Sequence, residues 1–268
     1  MRAEPGWPGA WSWAWLPVPV LGALVAAPFL PSPTAITPDR MLPPSAMHLL
    51  GTDPLGRDVA ARLLAAAPVS LGLALAGLGL AMVLGLCTAL PAAWLGRRAS
   101  GRTIDGMAQA LLSFPPLWLP LVVLALFGRG SASLLLSTVL VLWADLHWLL
   151  RGEAQRVLAE PYVESARAIG FSAPQILRRE VLPNLRGPCL WLGLIKLRTA
   201  VVLLATLAFL GLGLPPPAPS WGGMIAESRD WFLDAPWLLA GPAAAIAATL
   251  VVTSLLATSV GRPPGGAG

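Results

Sequence analysis

The sequence is poor in charge. Only 12% of its 268 residues are Asp, Glu, Lys or Arg, against about 25% in an average soluble domain. With 56% hydrophobic residues, that shortage excludes an ordinary soluble globular domain. Cysteine is nearly absent. Cys87 and Cys189 both fall in or beside apolar runs, where a thiol behaves as a small apolar group. His48 and His147 stand far apart, so no metal-ligand spacing exists. There is no His-Glu-x-x-His and no Gly-x-Ser-x-Gly segment, which leaves only the thin pair Asp145 and His147 for an intramembrane enzyme. No internal repeat is evident either, which argues against a secondary transporter.

What the chain does have is long apolar runs. About 20 apolar residues cross a bilayer as a helix. Candidate runs cover 11–30, 69–95, 111–128, 132–150, 188–213 and 237–260. They predict an all-α polytopic membrane protein with about six transmembrane helices. The chain divides into an N-terminal tail and first span over 1–30, an extracytoplasmic segment over 31–67, a membrane core over 68–260, and a tail over 261–268 whose composition predicts disorder. The first run reads as a span and not as a cleaved leader. Arg2 is opposed by Glu4, no small-x-small site follows, and Trp7, Trp11, Trp13 and Trp15 suit an interfacial belt.

The net charge of +5 is explained by placement. With the N-terminus cytoplasmic, the inside segments 96–110, 151–187 and 261–268, with Arg2, hold eleven arginines, and the outside segments hold five. This is the positive-inside pattern. The basic residues report orientation in membrane lipid and give no sign of nucleic acid.

Residues 151–187 form a polar island between apolar runs, with its own helix punctuation. Pro161 suits a first helical position and Gly170 the residue past a helix end. Ser172 with Gln175 reads as a capping box for a second short helix, and Pro183 is expected to stop it. Val163, Ala166 and Ile169 recur at helical spacing, an apolar stripe available to a partner's groove. Glu164 and Arg167 flank that stripe and can fix register by charge.

Before the second run lies Gly51-Thr52-Asp53-Pro54-Leu55-Gly56-Arg57-Asp58, rich in turn chemistry. From the residues alone it is as readily an ordinary loop as a site. Asp58 is expected to cap the next helix and to pair with Arg62 one turn on. The glycines of 69–95 suggest a helix packed closely against others. Ser113-Phe114-Pro115-Pro116 and Pro120 mark either a plain kink or a hinge in the third run. The stretch Phe209 to Gly222 is stiff with proline, and Trp221, Trp231 and Trp237 are expected to anchor it at the interface.

Taken in order, three of these segments make the chain resemble a permease of the binding-protein-dependent ABC importers, in the dipeptide/oligopeptide/nickel branch and of the second of its two paired permeases. The first is Gly51, Thr52, Asp53, Gly56, Arg57 and Asp58. The second is Glu164, Ser165 and Ala166, then Gly170, then Leu182 and Pro183, similar to the EAA loop of such permeases. The third is Phe209 to Gly213 followed by Pro219, Ser220, Trp221 and Gly222. Together they cover residues 48 to about 245.

The resemblance implies a type I ABC importer permease fold in a bacterial inner membrane. It implies half of a translocation pathway for small peptides, with nickel or a metal–chelator complex as the alternative cargo. The implied partners are a second permease, two cytoplasmic ATPase subunits and an extracytoplasmic substrate-binding protein. Glu164, Ser165, Ala166, Ile169, Gly170, Leu182 and Pro183 would couple to the ATPases. No Gly-x-x-x-x-Gly-Lys-Ser/Thr segment occurs, so ATP is expected to be used by the partners, with no cofactor, catalytic residue or metal on this chain.

The chain departs from the family pattern in places. Ser165 replaces the motif's first alanine, Glu180 stands where a basic or neutral residue is usual, and no carboxylate stands near Leu204. Lys196 and Arg198 occupy the fifth run where relatives have small residues. Such charges face a bundle interior, a cavity or a partner, unless Lys196 snorkels to the surface. Asp145 is expected to pair with Lys196 or Arg198, which would make runs 132–150 and 188–213 neighbours. In the competing reading these cations touch an anionic substrate in transit.

Overall fold

The computed structural model describes residues 31–96 and 99–260. The first expected span, the orientation of the N-terminus and the tail over 261–268 lie outside the described residues. Four described helices are long and apolar enough to cross a membrane: α1 (Val59–Leu95), α4 (Ser131–Leu158), α8 (Arg186–Leu207, continued by a π-helical stretch to Leu212) and α10 (Trp237–Val260). The shorter elements are α2 (Ala99–Leu112), α3 (Trp118–Phe127), α5 (Pro161–Ala168), α6 (Ala173–Ile176), α7 (Leu182–Asn184) and α9 (Trp221–Ser228).

The expected third span over 111–128 is not one helix. Helix α2 begins earlier, inside the segment expected to be a cytoplasmic loop, and ends at Leu112. Residues 113–117 break it, and α3 is only 10 residues long. Prolines 115 and 116 supply no backbone N–H, so two successive helical hydrogen bonds are lost there and the helix breaks.

Helices α1 and α4 form the centre. Leu71, Ala74, Leu78 and Ala81 of α1 pack with Leu142, Leu146 and Leu150 of α4, and Leu192, Leu197 and Val201 of α8 close the same core. The glycines of α1 divide by face. A side chain at Gly77 would strike Thr138 Cγ2 at 2.6 Å, whereas Gly72 and Gly79 face open space. Hydroxyls buried in α4 are satisfied within the helix: Ser137 donates to the Ser133 carbonyl at 2.7 Å and Thr138 to that of Leu134 at 2.8 Å, as an apolar surrounding requires.

Pro183 does not stop its helix, contrary to the expectation. The chain widens into a π-helical turn over Leu177–Val181, with Leu182 N–H bonded to the Leu177 carbonyl, and runs on through α7 to α8. The wider turn accommodates the proline ring, which would clash with the carbonyl four residues back in a regular helix.

Candidate functional site

The polar island is a folded unit. Helix α5 has Pro161 in its first turn and ends before Gly170, whose φ is 91°, a conformation that costs L side chains strain. Ser172 and Gln175 form the expected capping box, with Gln175 Oε1 accepting from Ser172 N at 2.8 Å.

The island's faces differ from the expectation. Val163 and Ala166 are buried, packed with Ala93 of α1, Ala154 and Val157 of α4, and Ile176, Val181 and Leu185. They cannot present a stripe to a partner. The spacing was right for an amphipathic helix, but the apolar face turned to the chain's own core. The outward face carries Tyr162, Glu164, Ser165 and Ile169, the last 73% exposed. Burial, then the Glu160 and Glu180 carboxylates, push the Tyr162 hydroxyl above its ordinary pKa, so it stays neutral on this face. Arg167 lies 5.1 Å from the Trp94 ring at the end of α1, and Arg179 lies 5.6 Å from the Phe171 ring. Leu182 and Pro183 are exposed beside the π-helical turn. The island is therefore fastened to the ends of α1 and α4.

The segment Gly51 to Asp58 is a compact knot. Thr52 and Asp58 make an antiparallel bridge. Asp53 Oδ1 accepts from Leu55 N and Arg57 N, both at 2.9 Å. Asp53 Oδ2 lies 2.6 Å from Arg57 Nε and 2.7 Å from Arg62 Nη1. Asp58 caps α1 through Ala61 N at 2.8 Å. It does not pair with Arg62: its second oxygen takes His48 Nδ1 at 2.9 Å. Both arginines also reach Glu227 of α9, Arg57 at 3.1 Å and Arg62 at 2.8 Å. Gly51 and Gly56 have positive φ and no room for a side chain, the nearest atoms being the Leu42 and Thr37 carbonyl oxygens at 2.5 and 2.1 Å from an added Cβ.

Pro219, Ser220, Trp221 and Gly222 dock the other end of that contact. Ser220 caps α9, with Oγ accepting from Gly223 N at 3.1 Å. Trp221 is buried and is not an interfacial anchor: its N–H donates to Ser70 Oγ at 2.9 Å and its indole to the Leu63 carbonyl at 3.1 Å. An added Cβ at Gly222 would meet Ala205 Cα at 2.8 Å. Trp237 donates to the Thr52 carbonyl at 3.4 Å. The Gly51–Asp58 and Pro219–Gly222 segments, more than 150 residues apart, thus build one assembly around the start of α1.

Within the bundle, Lys196 Nζ donates to Asp145 Oδ2 at 2.8 Å. Arg198 goes elsewhere, to Ser254 Oγ of α10 at 2.8 Å. A second polar cluster was not foreseen as a unit. Buried His147 has Nε2 3.1 Å from Asp105 Oδ1 of α2 and Nδ1 3.1 Å from Thr88 Oγ1 of α1. Arg151 Nε lies 3.0 Å from the same Asp105 oxygen, an ion pair whose direction falls short of a hydrogen bond. The i, i+4 spacing of His147 and Arg151 was the available signal. Asp105 was missed because its segment was read as a loop. Glu227 had no such local signal.

The sequence profile described as "Binding-protein-dependent transport system inner membrane component" matches residues 81–262. A putative peptide transport system permease protein of Brucella suis biovar 1 is 33% identical over 241 residues, covering 88% of this chain and 80% of that protein. A probable D,D-dipeptide transport system permease protein of Escherichia coli K12 is 32% identical over 221 residues, covering 82% of this chain and 74% of that protein. A glutathione transport system permease protein of Shigella flexneri is 32% identical over 216 residues, covering 80% and 70%. Among solved structures, an inward-facing MetNI methionine ABC transporter aligns with a TM-score of 0.55 at 16% identity, covering 72% of this chain and 94% of that one. An amino acid ABC transporter aligns with a TM-score of 0.54 at 15% identity, covering 75% and 92%.

Proposed function

The chain belongs to the family of binding-protein-dependent transport system inner membrane components, and from that premise we propose that it forms half of the pathway of an ATP-driven importer of small peptides. It is a multi-pass membrane protein with the type I ABC importer permease fold. The observation that carries the cargo reading is the set of relatives named for peptides, D,D-dipeptides and glutathione, each aligned over four fifths or more of this chain. Those relatives do not favour nickel or a metal–chelator complex.

The family works with ATPase subunits and an extracytoplasmic binding protein. The second permease is a separate protein that pairs with this one, and the N-terminus is cytoplasmic. ATP is bound and split by the ATPase subunits, and this chain holds no nucleotide and no catalytic residue. Helix α5 and the turn at Gly170 are the lever. An ATPase groove grips Tyr162, Glu164, Ser165 and Ile169, with Leu182 and Pro183 beside them. The buried seam of Val163 and Ala166 with Ala93 and Ala154 supports this role, because a closely packed interior transmits displacement with little give.

The reading is tested by reconstituting the four-subunit complex in vesicles with its binding protein. Expected are ATP-dependent dipeptide uptake by the wild type and uncoupling by Gly170→Val, with hydrolysis retained and uptake at least about tenfold down, as befits a position where φ is 91° and β-branched residues are strained. A wild-type complex that moves no peptide, or a Gly170→Val complex that accumulates cargo normally, overturns it.

A further inference from the structure

We propose that Arg198 is a cargo-facing cation that receives the carboxylate of the transported solute at mid-membrane. This deepens the peptide-importer reading and rests on it. Depth is the first argument. Arg198 lies 12 residues beyond Arg186, where the continuous segment Arg186–Leu212 begins, or about 18 Å at 1.5 Å per residue. That is near the middle of the apolar layer. A guanidinium facing hydrocarbon there is costly, so it faces protein or a water-filled cavity.

Charge balance is the second argument. The two cations of α8 are treated differently. Lys196 has a carboxylate counter-ion, Asp145 at 2.8 Å. Arg198 has none within ion-pair distance among the described residues. Its hydrogen-bond partner is a neutral hydroxyl, Ser254 Oγ at 2.8 Å. That hydroxyl spends its own proton on the Leu250 carbonyl at 2.6 Å, so it accepts one N–H from Arg198 and leaves the charge undiminished. A guanidinium has five N–H donors in a planar fork suited to bidentate carboxylate. Ser254 thus positions the fork without neutralising it.

The surroundings are the third argument. Arg198 opens onto a groove lined along α8 by Thr199, Val202 and Thr206, which recur with Arg198 on one helical face. Pro116 and Leu117, at the break between α2 and α3, line it too. Interrupted helices are tolerated at membrane depth where they border protein or a cavity. Among the described residues lining this groove, which are otherwise apolar or hydroxyl-bearing, the one charge is positive. Its complement is an anion, and every unmodified peptide carries one at its C-terminus. Lys196, already paired, does not fill this role.

The test uses the whole importer in vesicles, with its binding protein and alanyl-alanine as probe. Uptake is measured for the wild type, Arg198→Lys, Arg198→Ala and Arg198→Glu, alongside copurification of the second permease. Expected are an intermediate loss of uptake for Arg198→Lys, which keeps the charge but lacks the bidentate fork, and losses of at least about tenfold for Arg198→Ala and Arg198→Glu, the scale of one charge-assisted hydrogen bond, with the second permease still bound. Loss of the second permease in step with uptake would mean that Arg198 meets an acidic group of that subunit, and overturns the proposal. So does Arg198→Ala at wild-type uptake, or Arg198→Lys as poor as Arg198→Ala. A wild-type complex that moves no alanyl-alanine fails at the earlier step and takes the peptide reading down with the inference. Normal wild-type uptake with an indifferent Arg198→Ala removes the inference alone.

Discussion

Asp53 shows how much one side chain can hold. It is 2% exposed, yet its two oxygens serve two backbone N–H groups and two guanidinium groups. Removing one member of a buried ionic cluster leaves its partners desolvated and unpaired, at about 3–5 kcal/mol. Asp53→Ala should therefore lower the thermal midpoint of the purified complex sharply. Glu227 offers the control. Its side chain is 45% exposed, so water already screens it and Glu227→Gln should cost about 1 kcal/mol or less. Equal losses in the two variants, read by thermal denaturation in detergent, would show that Asp53 is not the hub. Both arginines were visible in the sequence, but their partners were not all. The Asp53–Arg57 pair is local, four residues apart, but the same spacing between Asp58 and Arg62 suggests a pair that does not form, because Asp58 caps α1 and meets His48. The Glu227 contacts close a loop of some 165 residues, and no local rule supplies such a pairing.

At the scale of elements, the sequence was most legible where local punctuation decides structure. Pro161, Gly170 and the Ser172–Gln175 capping box delimit α5 and α6 as their chemistry requires. It was least legible where a rule depends on surroundings. Periodicity locates an apolar face without saying what covers it, and so Val163 and Ala166 turned inward. Proline ends a regular helix, yet the π-helical turn before Pro183 carried the chain through. The inward turn separates two variants that a reading from spacing alone would treat alike. Val163→Asp places an unpaired charge at a position with 0% exposure, and the chain should fail to accumulate in the membrane. Ile169→Asp, on the open face, should leave stability within about 0.5 kcal/mol of wild type and reduce ATPase copurification by about tenfold or more, as loss of an interface anchor does. Retention of the ATPase by Ile169→Asp would move the docking face elsewhere on the island.

At the scale of the whole molecule, two specialised ends are joined by helices that run between them. Helix α1 has 37 residues, about 55 Å of helix, while the hydrocarbon layer is only about 30 Å thick. Its first turn is capped inside the Asp53–Arg57–Arg62–Glu227 assembly, and its last residues, Ala93 and Trp94, pack into the island. One helix therefore touches both the segment expected outside and the segment expected to meet the ATPases. If α1 crosses the bilayer, Leu49 and Ser165 lie on opposite sides of it, and the positive-inside pattern predicts the arginine-rich island inside. The sequence offers a clean way to check it, because Cys87 and Cys189 are its two cysteines. In a Cys87→Ala, Cys189→Ala background, Leu49→Cys should react with a membrane-impermeant maleimide added to intact spheroplasts, since Leu49 is 67% exposed. Ser165→Cys should react only after the membrane is opened. The reverse labelling order would turn the molecule over and place the island where no ATPase can reach it. Labelling of both from outside would mean that α1 does not cross the bilayer at all.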